Sequence, residues 1–165
     1  MIRKLLHIHR FRLTLLHIVI ILLSGIGLSV QAQAVIGARE LAVGQAITAL
    51  EDTDWGMFGN PALMSEDERS VSFFGVRYFG LAELTDMAFS GTYPTKFGVL
   101  GAGAHRYGDD LFNESRIRLG YKHSFAGFHF GTIINYSHVA MGGGYGSAGA
   151  LGVDVGMAAL IVSDL

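Results

Sequence analysis

The second half of the chain alternates apolar and polar residues with a period of two. In residues 115–123 the odd positions from Ile117 to Tyr121 are apolar, whereas the even positions are Arg, Gly or Lys. Because successive side chains of a strand point to opposite faces, this pattern predicts strands with one apolar and one polar face. The alternation predicts six such strands, over residues 71–79, 84–93, 97–107, 114–124, 127–139 and 149–161.

The length of these strands favours a membrane protein. Strands of soluble proteins average about 5–6 residues, whereas strands that cross a membrane need about 9–11. Short turns at 94–96 and 125–127 alternate with longer connections at 80–83, 108–113 and 140–148. This arrangement is typical of an outer-membrane barrel whose short turns face the periplasm. The predicted fold class is therefore all-β, an antiparallel transmembrane β-barrel.

A secreted β-sandwich is the alternative, because its core faces would also alternate. It fits less well, since the strands are long and their polar faces are rich in Gly and Ala instead of Thr, Lys and Glu. Aromatic residues also gather near the strand ends, as in the two aromatic girdles of a membrane barrel. These residues are Tyr93, Phe97, Phe125 and Phe128 at the short turns, and Tyr78, Tyr107 and Tyr136 at the longer connections.

Six strands are too few for a closed barrel, since bacterial single-chain barrels begin at eight. An open edge in lipid would leave backbone groups unpaired, at several kcal/mol each. The sequence ends at Leu165, directly after the last predicted strand. We therefore expect an N-terminal portion of a longer protein or a truncated gene product. The alternative is an oligomer whose chains complete one barrel.

Residues 1–34 have the organisation of a cleaved signal peptide. Four basic residues precede an apolar stretch from Leu13 to Val30, and Ala32 and Ala34 provide small residues for cleavage. An N-terminal membrane anchor is the alternative, because 18 apolar residues approach spanning length. Two glycines within the stretch weaken such a helix. The predicted location is the outer membrane of a bacterial cell.

Residues 35–70 lack the alternation and precede the first strand. Residues 38–50 are rich in small side chains and are predicted to form a short helix or an irregular strand. An acidic turn at 51–54 and an aromatic patch at 55–58 follow. A segment of small residues ahead of a barrel is predicted to lie inside the lumen as a plug.

Charged residues on the polar faces are expected to point into the barrel lumen. A charge facing lipid at the membrane midplane would cost about 2–4 kcal/mol. The predicted plug carries Glu51, Asp52 and Asp54, which are candidate partners for Arg116 and Arg118. Otherwise these charges fill the lumen or line a polar pore. The residues assigned to the lumen are Arg77, Asp86, Arg116, Arg118, Lys122, His129 and Asp154.

Two blocks of the N-terminal segment have a recognisable spacing, with Gly-Ala-Arg at 37–39 opening the first and Asn-Pro-Ala at 60–62 closing the second. Together they resemble the N-terminal signature of the PorV/PorQ group of outer-membrane proteins, which are related to FadL-type transporters. The chain departs from that signature at Val43, Gln45 and Ile47, and again at Leu63. The matching residues are Gly37, Ala38, Arg39, Gly44, Asp52, Asn60, Pro61 and Ala62.

The resemblance implies an outer-membrane barrel that serves type IX protein secretion or handles its cargo. The related FadL-like proteins instead pass hydrophobic compounds across the outer membrane, and nothing in these residues decides between the two. An exported structural or adhesive β protein without catalytic activity is a further alternative. The expected partners are outer-membrane lipid together with secretion-system components or hydrophobic small molecules.

The remaining motifs do not indicate an enzyme. The chain has no Cys, and the glycine-rich stretch 142–146 lacks the Lys-Ser/Thr of a phosphate-binding loop. The histidines do not have the spacing of metal ligands. The formal net charge of −2 gives no support to nucleic-acid binding. We therefore predict no catalytic residue, no cofactor, no metal site and no nucleic-acid partner.

Overall fold

Six strands form one antiparallel sheet in which each strand pairs with its neighbours along the chain. The computed structural model describes residues 36–44, 46–50 and 53–159, so the predicted signal peptide at 1–34 lies outside the described residues. The sheet confirms the predicted all-β, antiparallel class. The strands are β1 (Ser70–Arg77), β2 (Thr85–Thr95), β3 (Gly98–Gly108), β4 (Phe112–Phe125), β5 (Phe128–Met141) and β6 (Gly146–Ala159).

The observed strands coincide with the predicted ones at their centres and differ at their ends. The largest difference lies in the last hairpin, where the predicted connection 140–148 shortens to 142–145. Ala140 pairs with Ser147, and Met141 pairs with Gly146. Strand pairing uses backbone groups, which small residues provide as well as large ones. Residues that looked like a loop by composition therefore extend β5 and β6.

Short and long connections lie at opposite ends of the sheet, as the sequence predicted. Between β4 and β5, Ala126 and Gly127 have φ values of 51° and 80°. Two consecutive residues with positive φ are typical of a type I′ turn, whose twist matches that of the two strands it joins. We call the two ends the short-turn end (turns at 96–97 and 126–127) and the long-loop end (connections at 78–84, 109–111 and 142–145).

The N-terminal segment packs on one face of the sheet. It contains helix α1 (Ala38–Ala42) and a 3-10 turn at Pro61–Leu63, and a parallel bridge joins Thr53 to Met64. Among the residues that the structure describes, no helix has the length and apolar character needed to cross a membrane. The core lies between the segment and the sheet and consists of Ile36, Met57, Phe58, Met64, Ala88, Val99 and Ile133.

The sheet is open within the described residues. β1 and β6 are its two edges, and each has one strand neighbour. The strands β4, β5 and β6 are 14 residues long, whereas β1 has eight. The six described strands do not close into a barrel.

Candidate functional site: the covered face of the sheet

The two faces of the sheet differ in chemistry and in what covers them. We call residues 53–66 the cap segment, and the face beneath them the inner face. Charged and hydroxyl side chains of the inner face are buried under the cap, although most such groups in proteins lie in water. The outer face is formed by the alternate residues of the same strands, and no described part of the chain covers it. The buried polar residues of the inner face are Asp86, Ser90, Thr92, His105, Arg118 and Lys122.

Glycines of the inner face allow the cap to approach the sheet closely. A Cβ atom at Gly120 would lie 2.8 Å from the sulfur of Met57, and one at Gly103 would lie 3.0 Å from the Phe58 ring. At Gly131 it would overlap the backbone of Pro61. A side chain at any of these positions would occupy the space that the cap fills. We therefore call these glycines the glycine seat of the cap. The glycines of the seat are Gly101, Gly103, Gly120, Gly131 and Gly156.

The Asn-Pro-Ala turn of the cap is fixed by its first residue. The side-chain oxygen of Asn60 accepts a hydrogen bond from the Ala62 amide at 3.0 Å, which caps the 3-10 turn. Its amide group donates to the carbonyls of Thr48 at 3.0 Å and Met157 at 3.3 Å. Pro61 follows at the first position of the turn, where its missing N–H is not needed. One residue therefore connects the cap, the preceding segment and edge strand β6.

Arg118 holds the middle of the cap from below. Its Nη1 donates to the carbonyl of Met57 at 2.5 Å, and its Nη2 lies 3.3 Å from the carboxylate of Asp154. The guanidinium carbon lies 5.2 Å from the centroid of the Phe58 ring, within the range of a cation–π contact. The residue is 5% exposed. A buried cation is thus compensated by a carbonyl, a carboxylate and an aromatic ring together.

Lys122 and Glu66 hold the C-terminal end of the cap. Lys122 Nζ donates to the carbonyl of Met64 and to Glu66 Oε1, both at 2.7 Å. Glu66 also accepts from the hydroxyl of Ser124, and its carboxylate lies 3.2 Å from His129 Nδ1. Burial raises the pKa of Glu66, but the hydrogen bonds and positive charge of Lys122, with Ser124 and His129, outweigh it and lower the pKa. The carboxylate is therefore stabilised in its charged form.

Asp86 and His105 form a buried pair on neighbouring strands. His105 lies opposite Ala88 in the register, so Asp86 is its diagonal neighbour on the same face. His105 Nε2 lies 2.7 Å from Asp86 Oδ1, and the two side chains are 3% and 1% exposed. The Phe58 ring covers the imidazole at a centroid distance of 6.2 Å. The cap therefore shields this pair from solvent.

The predicted pairing between the acidic turn and the arginines is wrong where it can be examined. The side chain of Asp54 accepts a hydrogen bond from Ser72 at 2.7 Å, and its backbone carbonyl accepts one from Ser90 at 2.6 Å. Arg116 forms an ion pair with Glu114 on its own strand. Asp54 does not meet the arginines because it lies over β1 and β2, whereas the arginines lie on β4. Glu51 and Asp52 lie outside the described residues.

The register places six of the seven residues assigned to the lumen on the inner face and one on the outer face. Arg77 lies opposite Thr85 and follows Phe73 and Gly75, so it belongs to the outer face, and its assignment is corrected. Phe74, assigned to the other side of β1, packs instead under the cap against Trp55, at 6.1 Å between ring centroids. The six residues on the inner face are Asp86, Arg116, Arg118, Lys122, His129 and Asp154.

The residues of the two N-terminal blocks occupy different environments. Asn60, Pro61 and Ala62 form the turn that rests on the glycine seat. Gly37 has a φ of 112° and lies against the side chain of Glu40, which is hydrogen-bonded to Thr53. Of the others, Ala38, Arg39 and Gly44 are exposed, and Asp52 lies outside the described residues.

The outer face is apolar and exposed. Val71, Phe73, Leu151 and Val155 are between 66% and 79% exposed. Monomeric soluble proteins rarely expose a contiguous apolar patch larger than a few hundred Å². The apolar residues of this face continue across all six strands. They include Val71, Phe73, Met87, Phe89, Leu100, Ile117, Leu119, Phe130, Ile134, Leu151, Val153, Val155 and Met157.

Basic residues accompany aromatic rings at the short-turn end. The guanidinium of Arg69 lies 4.5 Å from the centroid of the Tyr93 ring, and the ammonium of Lys96 lies 5.0 Å from that of Phe97. Tyr121 and His123 stack on the outer face at 6.4 Å. Such pairs of aromatic and cationic groups are typical of a boundary between an apolar phase and water.

Chemically, this site binds a segment of its own chain. Within residues 36–44, 46–50 and 53–159, no group of three or more His, Asp or Glu side chains is arranged to hold a metal ion. The sequence reasoning missed Glu66, Ser72 and Ser90 as contacts of the cap. It used the glycines of the polar faces only as evidence against a β-sandwich. Their repetition at alternate positions was the signal, because a polar face without side chains leaves room for another segment.

No protein-family model, no curated protein and no solved structure matches this chain.

Proposed function

We propose that the chain forms part of an outer-membrane β-barrel, with the outer face against lipid and the cap segment inside the lumen. One observation carries the proposal. The sheet exposes its apolar face and buries its polar face, which is the opposite of a sheet that packs on a core in water. Lipid would remove the exposed apolar surface from water, and the cap would fill the space beneath the polar face.

The size of the apolar face supports this proposal. On β5 the outward residues run from Phe128 to Tyr136 without a charge. At about 3.4 Å per residue, this stretch covers roughly 27 Å of strand. A strand tilted by about 35–45° would then span roughly 20 Å, comparable to the apolar band of about 25 Å in known barrels. On β5 itself, His138 is the next outward residue beyond the stretch, whereas His123 on β4 lies opposite Phe130, within it.

Closing such a barrel requires partners for β1 and β6. In lipid, each unpaired backbone group at an edge costs several kcal/mol. The proposal therefore requires further strands beside the six described here, whether they belong to the same polypeptide or to other copies. Antiparallel pairing of consecutive strands is the topology that such a series would continue.

Within outer-membrane proteins, we propose a role of the PorV/PorQ type, in type IX secretion or in handling its cargo. The support is the Asn-Pro-Ala turn. Asn60 and Pro61 belong to the resemblance, and both rest on the inner face next to Gly156. A motif used to seat a plug would explain why these residues occur together. FadL-like uptake of hydrophobic compounds would use the same architecture.

The first experiment tests membrane assembly. The protein is expressed from its complete gene in a Gram-negative host, so that any further strands are included, and the outer-membrane fraction is examined for a band whose migration changes with heating. We expect a membrane-bound, heat-modifiable form that requires detergent for extraction. A protein that is exported but soluble without detergent would contradict the barrel and favour the structural or adhesive alternative.

A second experiment separates secretion from uptake. The gene is deleted in its source bacterium, and two readouts are compared, namely the proteins released into the medium and the uptake of a labelled long-chain fatty acid. Loss of exported proteins with normal uptake supports the PorV/PorQ role. Normal secretion with lost uptake would contradict it and support the FadL-like role.

A further inference from the structure

A row of basic residues borders the apolar face at the long-loop end. Arg106 on β3 lies opposite Ser115 on β4, and Ser115 lies opposite His138 on β5, so the three share one row of the outer face. Gly75 is the β1 residue level with Arg106, and Arg77 lies one outer-face position beyond it toward the long-loop end, where its Nε donates to Thr85 at 3.3 Å. Arg77 and Arg106 are exposed, and His138 is half-buried. We call Arg77, Arg106 and His138 the basic row.

The position of this row relative to the apolar residues is fixed by the register. One step nearer the middle of the sheet, Ile117 lies opposite Tyr136, and Tyr136 lies opposite Leu151. Tyr136 and the basic row are thus adjacent, with the aromatic ring on the apolar side. Cationic side chains just outside an aromatic belt are at the depth of lipid headgroups when such a sheet lies in a bilayer.

The acidic residues of the strands all lie on one face of the sheet. Among the strand residues described, no Asp or Glu points to the outer face, whereas Asp86, Glu114 and Asp154 all lie on the inner face. Further acids, Glu83, Asp109 and Asp110, lie in the connections at the long-loop end. One of them, Asp109, accepts hydrogen bonds from the amides of Leu111 and Phe112 at 2.8 and 3.0 Å. The outer face therefore presents only positive charge along its apolar border.

We infer that the basic row binds the phosphate groups of lipids in the leaflet at the long-loop end, an inference that depends on the proposed membrane function. An arginine forms two parallel hydrogen bonds to a phosphate, and His138 can donate one more. Neighbouring strands are about 4.7–4.9 Å apart, so the row spans roughly 20 Å across five strands. That width accommodates more than one headgroup. The short turns face the periplasm in a barrel, so this leaflet is the outer one.

The test uses vesicles of phosphatidylcholine, with or without lipid A in the outer leaflet as the phosphate-bearing probe. The full chain is added, and its partition is measured by flotation and protection from protease. We expect tighter partition to the vesicles with lipid A. For the double variant R77Q/R106Q we expect this advantage to fall by about thirtyfold, because each basic residue near an anionic surface contributes about a factor of five. Added salt should weaken the wild-type advantage in the same way.

The control is R69Q/K96Q, which removes two charges at the short-turn end and leaves the basic row intact. Retention of the lipid A preference by this variant supports the assignment. An equal loss in both double variants would indicate general charge attraction and would overturn the assignment. Equal partition of the wild type to both kinds of vesicle would overturn the phosphate site alone. Absence of partition to either kind would contradict the membrane function itself.

Discussion

The inner and outer faces belong to the same strands but differ in the chemistry of their side chains and in what covers them. On the inner face, Arg118 and Lys122 are each 5% exposed and donate to carbonyls of the cap segment. On the outer face, their chain neighbour Leu119 is 63% exposed. Burial thus follows what covers each face and not the polarity of its residues. The proposed lipid environment would remove this exposed apolar face from water.

The largest effect is expected from a charge in the middle of the outer face. Leu119→Arg should prevent membrane assembly, because an Arg facing lipid at the midplane costs about 2–4 kcal/mol. Ser115→Arg, on the same strand and face but level with the basic row, should cost about 0–1 kcal/mol. The yield of the heat-modifiable form measures both effects. Equal yields for the two variants would contradict the lipid-facing assignment.

A somewhat smaller effect is expected from removing a charge on the inner face. Lys122→Met removes the donor to the carbonyl of Met64 and the ammonium that pairs with the carboxylate of Glu66, which keeps the hydroxyl of Ser124. Hydrogen bonds to charged groups contribute about 1.5–3 kcal/mol, so the free energy needed to detach the cap from the sheet should fall by about that amount. Chymotrypsin cleavage at Trp55 and Phe58 measures the release.

The matched control is Lys96→Met, at a short turn, where the ammonium lies over the Phe97 ring and, among the described residues, forms no hydrogen bond or ion pair with the cap. That change should leave the cleavage of the cap unchanged. If both lysine variants accelerate cleavage equally, the cap is not held by Lys122, and the inner face lacks the role assigned to it.

Adding a single methyl group to the glycine seat should weaken the packing of the cap. In Gly131→Ala the new Cβ meets the backbone of Pro61, which cannot move aside as a flexible side chain can. Overpacking of this kind costs about 1–3 kcal/mol, so the cap should again become sensitive to chymotrypsin. Gly75→Ala on the outer face has no atom within 4 Å of the new Cβ and serves as the control. Similar cleavage of both variants would argue against close seating.

The sequence predicted the positions of the strands better than it predicted the faces of β1. Period-two alternation located the strands and their faces in β4, β5 and β6, because most outward positions there carry large apolar residues and most inward positions do not. β1 defeated the same reasoning. Phe73 and Phe74 are adjacent, so either parity is apolar, and Arg77 was assigned to the wrong face as a result. Only pairing with β2 decides the parity.

The contacts of the cap could not be predicted from the sequence, for a different reason. Arg118 and Lys122 bind the carbonyls of Met57 and Met64, and a backbone acceptor leaves no trace in residue identity. Their partners therefore follow from the three-dimensional path of the cap. The side-chain partner Glu66 was visible in the sequence, but it is 56 residues from Lys122, and spacing along the chain does not predict such a contact.

The smallest expected effect concerns the pH dependence of the cap. Because the pKa of Glu66 is lowered on folding, the charged carboxylate adds stability that is present above its ordinary value of 4.5 and lost as the pH falls through the folded value. The side chain is 43% exposed, so solvent screening should limit the effect to less than about 1 kcal/mol. Cap cleavage by an acid-active protease should therefore rise below pH 4.5 in the wild type. Glu66→Gln should already be cleaved faster by chymotrypsin near neutral pH, and its cleavage by the acid-active protease should rise little further below pH 4.5. An unchanged acid response in Glu66→Gln would place the titrating group elsewhere, and the contrast between the two faces would then rest on Arg118 and Lys122 without the carboxylate.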